Sequence, residues 1–179
     1  VKILIALDAD CLVSENYLSN IIDDFNIKKY NAAVVNFEHI LPTEKENLAA
    51  IINYEFFLRY YVLALKYANS YYSHFSVGST IVCNAESYVK VGGMNKRKAG
   101  EDFYFLEKLR KITEINKVTG ATVFPSARIS NRVPFGTGVT IDRFLKKTKN
   151  EYLLYSVSSF EILKSWLNLY NTELQLSLI

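Results

Sequence analysis

Two pairs of carboxylates stand out in this chain. Asp8 and Asp10, separated only by Ala9, follow the apolar run "ILIAL", and Glu101 and Asp102 follow Gly100 at the head of a helical pattern. Acids this close repel each other unless a proton or a cation sits between them. If residues 3 to 7 form a buried strand, its end delivers Asp8 and Asp10 to the sheet's carboxyl edge, where ligands of open α/β sheets bind. One cluster that holds a metal and another that takes a proton would make a transferase or hydrolase site. A plainer reading exists for each pair. A strand end running into an acid-rich helix start gives the first, and acids in a first helical turn complement the helix dipole in the second. The dipole accounts for one acid. It leaves unexplained the glycine and basic loop before Glu101, and the other pair on the same sheet.

The elements that must position these residues alternate between strand and helix. Residues 2 to 7 read as the first strand. Ser14 is a plausible N-cap, with Leu18, Ile21, Ile22 and Phe25 at helical spacing behind it. "NAAVVNFEHI", residues 31 to 40, carries the next strand. Thr43 and Glu46 form a capping-box pattern after Pro42, and the helix they open runs to about residue 68. Residues 77 to 93 read as a short strand, an Asn84 N-cap, a brief helix and a stop at Gly92 and Gly93, suited to a left-handed turn. The basic loop "MNKRKAG" leads into the helix "EDFYFLEKLRKI", with Phe103, Leu106 and Leu109 spaced for one buried face. A last strand at 121 to 124 ends at Pro125. A loop and helical material follow, with Leu153, Leu154, Val157 and Phe160 in register.

The chain's 179 residues suit one domain, and a half-hydrophobic composition with 22% charge is that of a globular protein. A net charge of +3 is too small to argue for nucleic acid. Cys11 and Cys83 are far apart without a CxxC, which reads as free thiols packed in a reducing compartment. The segment "LAAIINYEFFLRYYVLAL", residues 48 to 65, is the most membrane-like. Glu55 and Arg59 interrupt it at i,i+4, and each central charge costs a spanning helix about 2.5 to 3.5 kcal/mol. A span is therefore not expected; burial within the domain is, with a partner or a lipid surface as the alternative cover.

"ALDADCLVSENYL" resembles the Asp-x-Asp segment of family 2 glycosyltransferases, which have the GT-A fold. "VGSTIVCNAESYVKVGGMN" is similar to their acceptor-side segment ending in Gly-Gly, and "AGEDFYFLEKL" to the acidic helix start that supplies the base in inverting members. The three occur in the family's order over residues 3 to about 138. The resemblance implies an α/β protein with a partial GT-A fold, a mixed sheet flanked by helices. It implies a single domain over 1–179, the C-terminal portion of a catalytic domain with a helical extension from about 140 to 179. The chain starts almost at the Asp-x-Asp strand, so the N-terminal nucleoside-binding half is expected to be missing. The implied activity is inverting, metal-assisted transfer of a sugar from a nucleotide diphosphate sugar to an acceptor hydroxyl, in glycan or polysaccharide synthesis.

Residue by residue, the resemblance places Asp8 near the donor ribose and the metal, and Asp10 on a divalent cation, Mn²⁺ or Mg²⁺, that bridges the diphosphate. Such a hard cation, bound by oxygen, neutralises the leaving group. Asp102 would be the base, with Glu101 supporting it or the acceptor. Ser79 and Thr80 are candidate sugar contacts, and Gly92 and Gly93 shape the acceptor segment. Many GT-A enzymes carry a metal-ligating histidine after the acidic helix; here His39 and His74 both come earlier. Arg128 and Arg132 offer direct contacts to the diphosphate instead. Expected partners are the nucleotide sugar and a glycan or lipid-linked acceptor, without nucleic acid. Peripheral membrane contact and a homo-oligomer through the uncovered sheet surface are further options. The expected location is the cytoplasm, with attachment to the inner face of the membrane as a variant. Two other readings stand beside this one: a haloacid-dehalogenase-like phosphatase using Asp8 and Asp10, and a non-catalytic transferase fragment.

Overall fold

The computed structural model describes residues 1–96, 100–129, 136–147 and 153–176. It is an α/β fold. Strands β1 (Ile3–Ile5), β2 (Leu12–Val13), β3 (Ala32–Phe37), β4 (Ile81–Asn84) and β5 (Ile115–Phe124) form one mixed sheet in the order β1-β4-β3-β5-β2. Only the central pair, β3 with β5, is parallel among these neighbours. The helices are α1 (Tyr17–Ile27), α2 (Lys45–Tyr67), α3 (Ala85–Lys90), α4 (Glu101–Arg110), α5 (Thr137–Leu145) and α6 (Val157–Leu176).

β3 is buried on both faces, and its two-residue period divides the core into two layers. Ala33 and Val35 face Ile21 and Phe25 of α1, together with Val82, Val118 and Val123. Ala32 and Val34 face Phe105, Leu106 and Leu109 of α4, with Ile81 and Cys83. A third, smaller cluster joins Ala50 and Ile51 of α2 to Ile141 of α5.

Several sequence expectations hold at the residue level. The Asn84 side chain accepts from the Ser87 N–H and caps α3. Gly92 and Gly93 both take positive φ, and the Gly93 N–H closes the turn on the Tyr88 carbonyl. Others do not hold. Ser14 is no helix cap: its hydroxyl accepts from the Thr122 N–H and its own N–H donates to the Thr122 carbonyl, prolonging the β2–β5 pairing. The Thr43 capping box does not form, because the Thr43 hydroxyl donates to Glu44 and α2 starts without a side-chain cap. Phe103 is exposed and Phe105 takes its place in the core. Leu153 and Leu154 precede α6 and are exposed with Val157, leaving Phe160 alone of that register buried.

The last strand is longer than its apolar run. The mostly polar residues 115–120, "INKVTG", belong to β5 as well, and Ile115, Asn116 and Lys117 pair with Ala32, Ala33 and Val34 of β3. The β3–β5 register shifts after Val34. Gly120, at φ +76°, sits in that irregular stretch against Asn20, whose side-chain amide donates to its carbonyl at 2.8 Å. Its φ favours glycine, and a Cβ there would lie 2.9 Å from Asn20 Nδ2, displacing that amide from its hydrogen bond.

α2 also departs from expectation. The domain fully buries only Ala50 and Ile51 of it; Ile52, Phe56, Tyr61, Leu63 and Tyr67 are exposed, and its other large apolar residues are half-buried. What fastens it is polar. His39, just past the end of β3 and nearly fully buried, donates to Glu55 Oε1 from its backbone N–H at 2.6 Å and pairs with it through Nδ1 at 2.8 Å. Arg59 grips the other oxygen at 2.9 Å, donates to the Phe37 carbonyl at 2.8 Å and lies over the Phe37 ring. Burial alone would raise the Glu55 carboxyl, but the His39 and Arg59 hydrogen bonds outweigh it and bring the value down to about 2. A carboxyl held below its unfolded value adds stability that is complete above that value, roughly 4.3, and is lost as pH falls through the folded one. Glu55→Gln should therefore cost on the order of 2 kcal/mol near pH 7. In paired thermal melts the gap between the variant and the parent should narrow steadily from pH 5 towards pH 2. A gap constant over that range would show that the ion network is not what fastens α2.

Candidate active site

Strand direction gathers the chemistry at one end of the sheet. β3 and β5 run parallel and β1 runs with them, since both β1 and β3 are antiparallel to β4. Their carboxyl ends and the amino end of β4 therefore meet. Asp8–Cys11 follow β1, Pro125, Ser126 and Arg128 follow β5, and Val77–Ser79 precede β4. These segments, with Gly100–Asp102 at the head of α4 and Gly136–Val139 at the head of α5, line a cavity of about 270 Å³. That lies just under the roughly 300–1,000 Å³ of small-molecule pockets.

The first acid pair sits on a turn rather than on the strand itself. β1 ends at Ile5, and the Cys11 N–H closes back on the Asp8 carbonyl at 3.1 Å. Ser79 holds Asp8 in place: its hydroxyl donates to Asp8 Oδ2 at 2.8 Å and accepts from the Asp8 N–H at 3.4 Å. Asp10 is held from the other wall, where Arg128 Nη2 lies 2.7 Å from Oδ2. The two carboxylates thus have separate partners.

Cys11, read from the sequence as a packing residue, lines the same cavity. Its thiol donates to Ser79 Oγ at 3.3 Å. One ligand atom from each of Asp8, Asp10 and Cys11 lies within 4.8 Å of the others, close enough to share a metal ion. Burial, reinforced by the charges of Asp8 and Asp10, pushes the Cys11 thiol up. Sulfur is a soft donor, so the two carboxylates are the donors that fit a hard divalent cation.

Asp102 faces this group across the cavity. Gly100, at φ +73°, turns the chain into α4 and aims the Asp102 carboxyl at Gly78. A Cβ on Gly78 would lie 3.5 Å from Asp102 Oδ2, in ordinary contact, so Gly78 forms the wall beside the acid. Oδ1 accepts from the Phe103 N–H at 2.7 Å. Burial raises the Asp102 carboxyl, and the charges of Glu101 and Asp8 add to the rise despite that hydrogen bond. The arrangement suits proton abstraction: a carboxyl made more basic by its site, beside acids that can carry a cation.

Asp8, Asp10, Glu101, Asp102, Ser79 and Arg128 are thus brought to one cavity. Thr80 is buried beside it with its hydroxyl given to the Val77 carbonyl at 2.7 Å, and it does not line the wall. Gly92 and Gly93 shape the turn after α3, away from the lining residues. Arg132 lies outside the described residues. Sequence reasoning missed Cys11, although its place beside Asp10 was a signal. It also missed Tyr54 and Thr137, whose long-range contacts left none. Tyr54 reaches the cavity from α2 and hydrogen-bonds Thr137, while Thr137 Oγ1 lies 3.2 Å from His39 Nε2.

Because Asp102 has a raised value, its sign opposes that of Glu55. Below about pH 3.9 the carboxyl is neutral whether the chain is folded or not. As pH rises, the unfolded chain ionises first, so the folded state loses stability until Asp102 itself ionises, and the penalty then stands. Asp102→Asn should raise the melting temperature at pH 7 and lose that advantage below pH 4. Equal melting temperatures at pH 7 would mean that the site does not strain this acid.

Comparison of the chain with protein-family models, with curated proteins and with solved structures gives no significant match.

Proposed function

We propose that this cavity catalyses inverting glycosyl transfer from a nucleotide diphosphate sugar to an acceptor hydroxyl, by the partial GT-A fold that the three motifs suggest. The observation that carries the reading is the opposition of two groups in one cavity: Asp8 and Asp10 on the turn after β1, and the basic carboxyl of Asp102 at the head of α4. Order along the chain is the second support, since the Asp-x-Asp, Gly-Gly and Gly-Glu-Asp segments follow one another as in family 2 enzymes.

In this reading Asp10, with Asp8, holds a divalent cation, Mn²⁺ or Mg²⁺. When bound, that cation supplies positive charge against the leaving diphosphate. Arg128 already pairs with Asp10 and can exchange that carboxylate for a phosphate oxygen, through its planar fork of donors. Asp102 Oδ2 takes the proton of the acceptor hydroxyl as that oxygen attacks the anomeric carbon. Glu101, one residue earlier, lines the same wall and keeps the site negative around the incoming hydroxyl. Ser79 fixes Asp8 and is thereby a positioning residue.

Two variants separate binding from chemistry. In the intact protein, calorimetry with nucleoside diphosphates and their sugars should show binding strengthened by Mn²⁺, and Asp10→Asn should abolish that dependence. Asp102→Asn should leave donor binding within about twofold while lowering turnover about a hundredfold or more. Equal donor affinity with and without chelator would remove the cation from the reading. Near-normal turnover in Asp102→Asn would move the base elsewhere.

A further inference from the structure

The cavity is rich in acids and poor in bases. Asp8, Asp10, Glu101 and Asp102 all line it, and Arg128 is the one basic side chain among the described lining residues. A diphosphate entering alone would meet carboxylates of its own sign. Arg128 is the group that could receive it, but the guanidinium is engaged elsewhere, with Nη2 2.7 Å from Asp10 Oδ2. Asp8, by contrast, is held by a neutral partner, the Ser79 hydroxyl at 2.8 Å. Of the two carboxylates that can share a cation, one is therefore already matched by a positive charge and the other is not.

A guanidinium and a divalent cation are rivals on one carboxylate. Both are drawn to its oxygens, and two positive charges a few ångströms apart repel each other. The Arg128 side chain is 57% exposed and that of Asp10 39%. An ion pair so open to solvent shifts an equilibrium only on the order of a fewfold. It is strong enough to occupy Asp10 at rest and weak enough to be given up. The Arg128 N–H donates to the Ser126 hydroxyl at 3.3 Å, which steadies the backbone while the long side chain turns.

We infer that Arg128 is the resident counter-ion of Asp10, yields that carboxylate to the divalent cation, and then serves as the phosphate-binding group. Cation and diphosphate therefore enter in that order. The inference rests on the cation and diphosphate of the proposed reaction, but not on the transfer step itself. Removing the guanidinium should then have two effects of opposite sign: tighter binding of the free cation and looser binding of the diphosphate. A residue that only props up the loop after β5 would move both the same way.

Two variants of the intact protein test this, and circular dichroism should show that both keep the parent's fold, since Arg128 is exposed. Mn²⁺ alone, followed by electron paramagnetic resonance of the free ion, should bind Arg128→Gln about threefold or more tighter than the parent. Arg128→Lys keeps the charge and should stay within about twofold of the parent. Manganous pyrophosphate, a diphosphate with neither nucleoside nor sugar, should bind Arg128→Gln about tenfold or more weakly. Arg128→Lys should fall between the two, because an ammonium lacks the planar fork. Equal or weaker Mn²⁺ binding by Arg128→Gln overturns the inference and leaves the proposed reaction standing. An unchanged affinity of Arg128→Gln for manganous pyrophosphate overturns it as well. Mn²⁺ bound by neither parent nor variant at millimolar concentration overturns it together with the metal-assisted reaction. Opposite shifts in a protein that transfers no sugar would support the inference and count against the reaction.

Discussion

The structure hangs on one strand that is dry on both faces. β3 must be covered by α1 on one side and α4 on the other, and its neighbours β4 and β5 complete the enclosure. Once β3 is fixed, the directions of β1 and β5 follow, because all three run the same way. Their ends then lie together. Loops that are distant in sequence converge on one edge, and that convergence, rather than any local motif, assembles the cavity. The burial that holds the fold together therefore also decides where the chemistry can sit.

Gathering acids at that edge has a cost that the surroundings share out. Ser79 hydrogen-bonds Asp8, and Arg128 neutralises Asp10, so neither carboxylate is left to repel the other unaided. Asp102 receives one backbone N–H and otherwise meets burial and like charge. The contrast is instructive. Carboxylates with dedicated partners suit holding a charge, whereas one deprived of them is basic enough to take a proton. Glu55, four hydrogen-bond contacts deep in His39 and Arg59, is the opposite extreme and is purely a fastening.

Features carried by local chemistry were legible in the sequence. The Asn84 cap, the Gly92–Gly93 turn, the buried β3 run and the placing of Glu101 and Asp102 at a helix head needed only neighbouring residues to be seen. Features set by distant partners were not. Ser14 has the letters of a cap, but Thr122, more than a hundred residues on, offers a backbone edge to pair with. Ile115, Asn116 and Lys117 fell outside the expected last strand because a strand lying beside β3 can be held through its backbone whatever its side chains. Phe103 and Phe105 differ by two positions on a helix, and only the orientation of α4 on the sheet decides between them. In the cavity the acids announced themselves, while Tyr54 and Thr137 belong to it only because α2 and α5 pack together.

α2 shows how a helix can be apolar almost throughout and still lie at the surface. Its inner side is fastened by Glu55 and Arg59 to the end of β3, and the next residue inward, Tyr54, forms part of the cavity wall. His39 Nδ1 lies 2.8 Å from Glu55 Oε1, and its Nε2 lies 3.2 Å from the Thr137 hydroxyl. Thr137 in turn stands at the head of α5, where it meets Tyr54. The polar chain that fastens α2 therefore ends in the cavity, and it fixes the orientation of two residues on its wall. The charges within α2, which make a membrane span costly, are what tie it to the sheet.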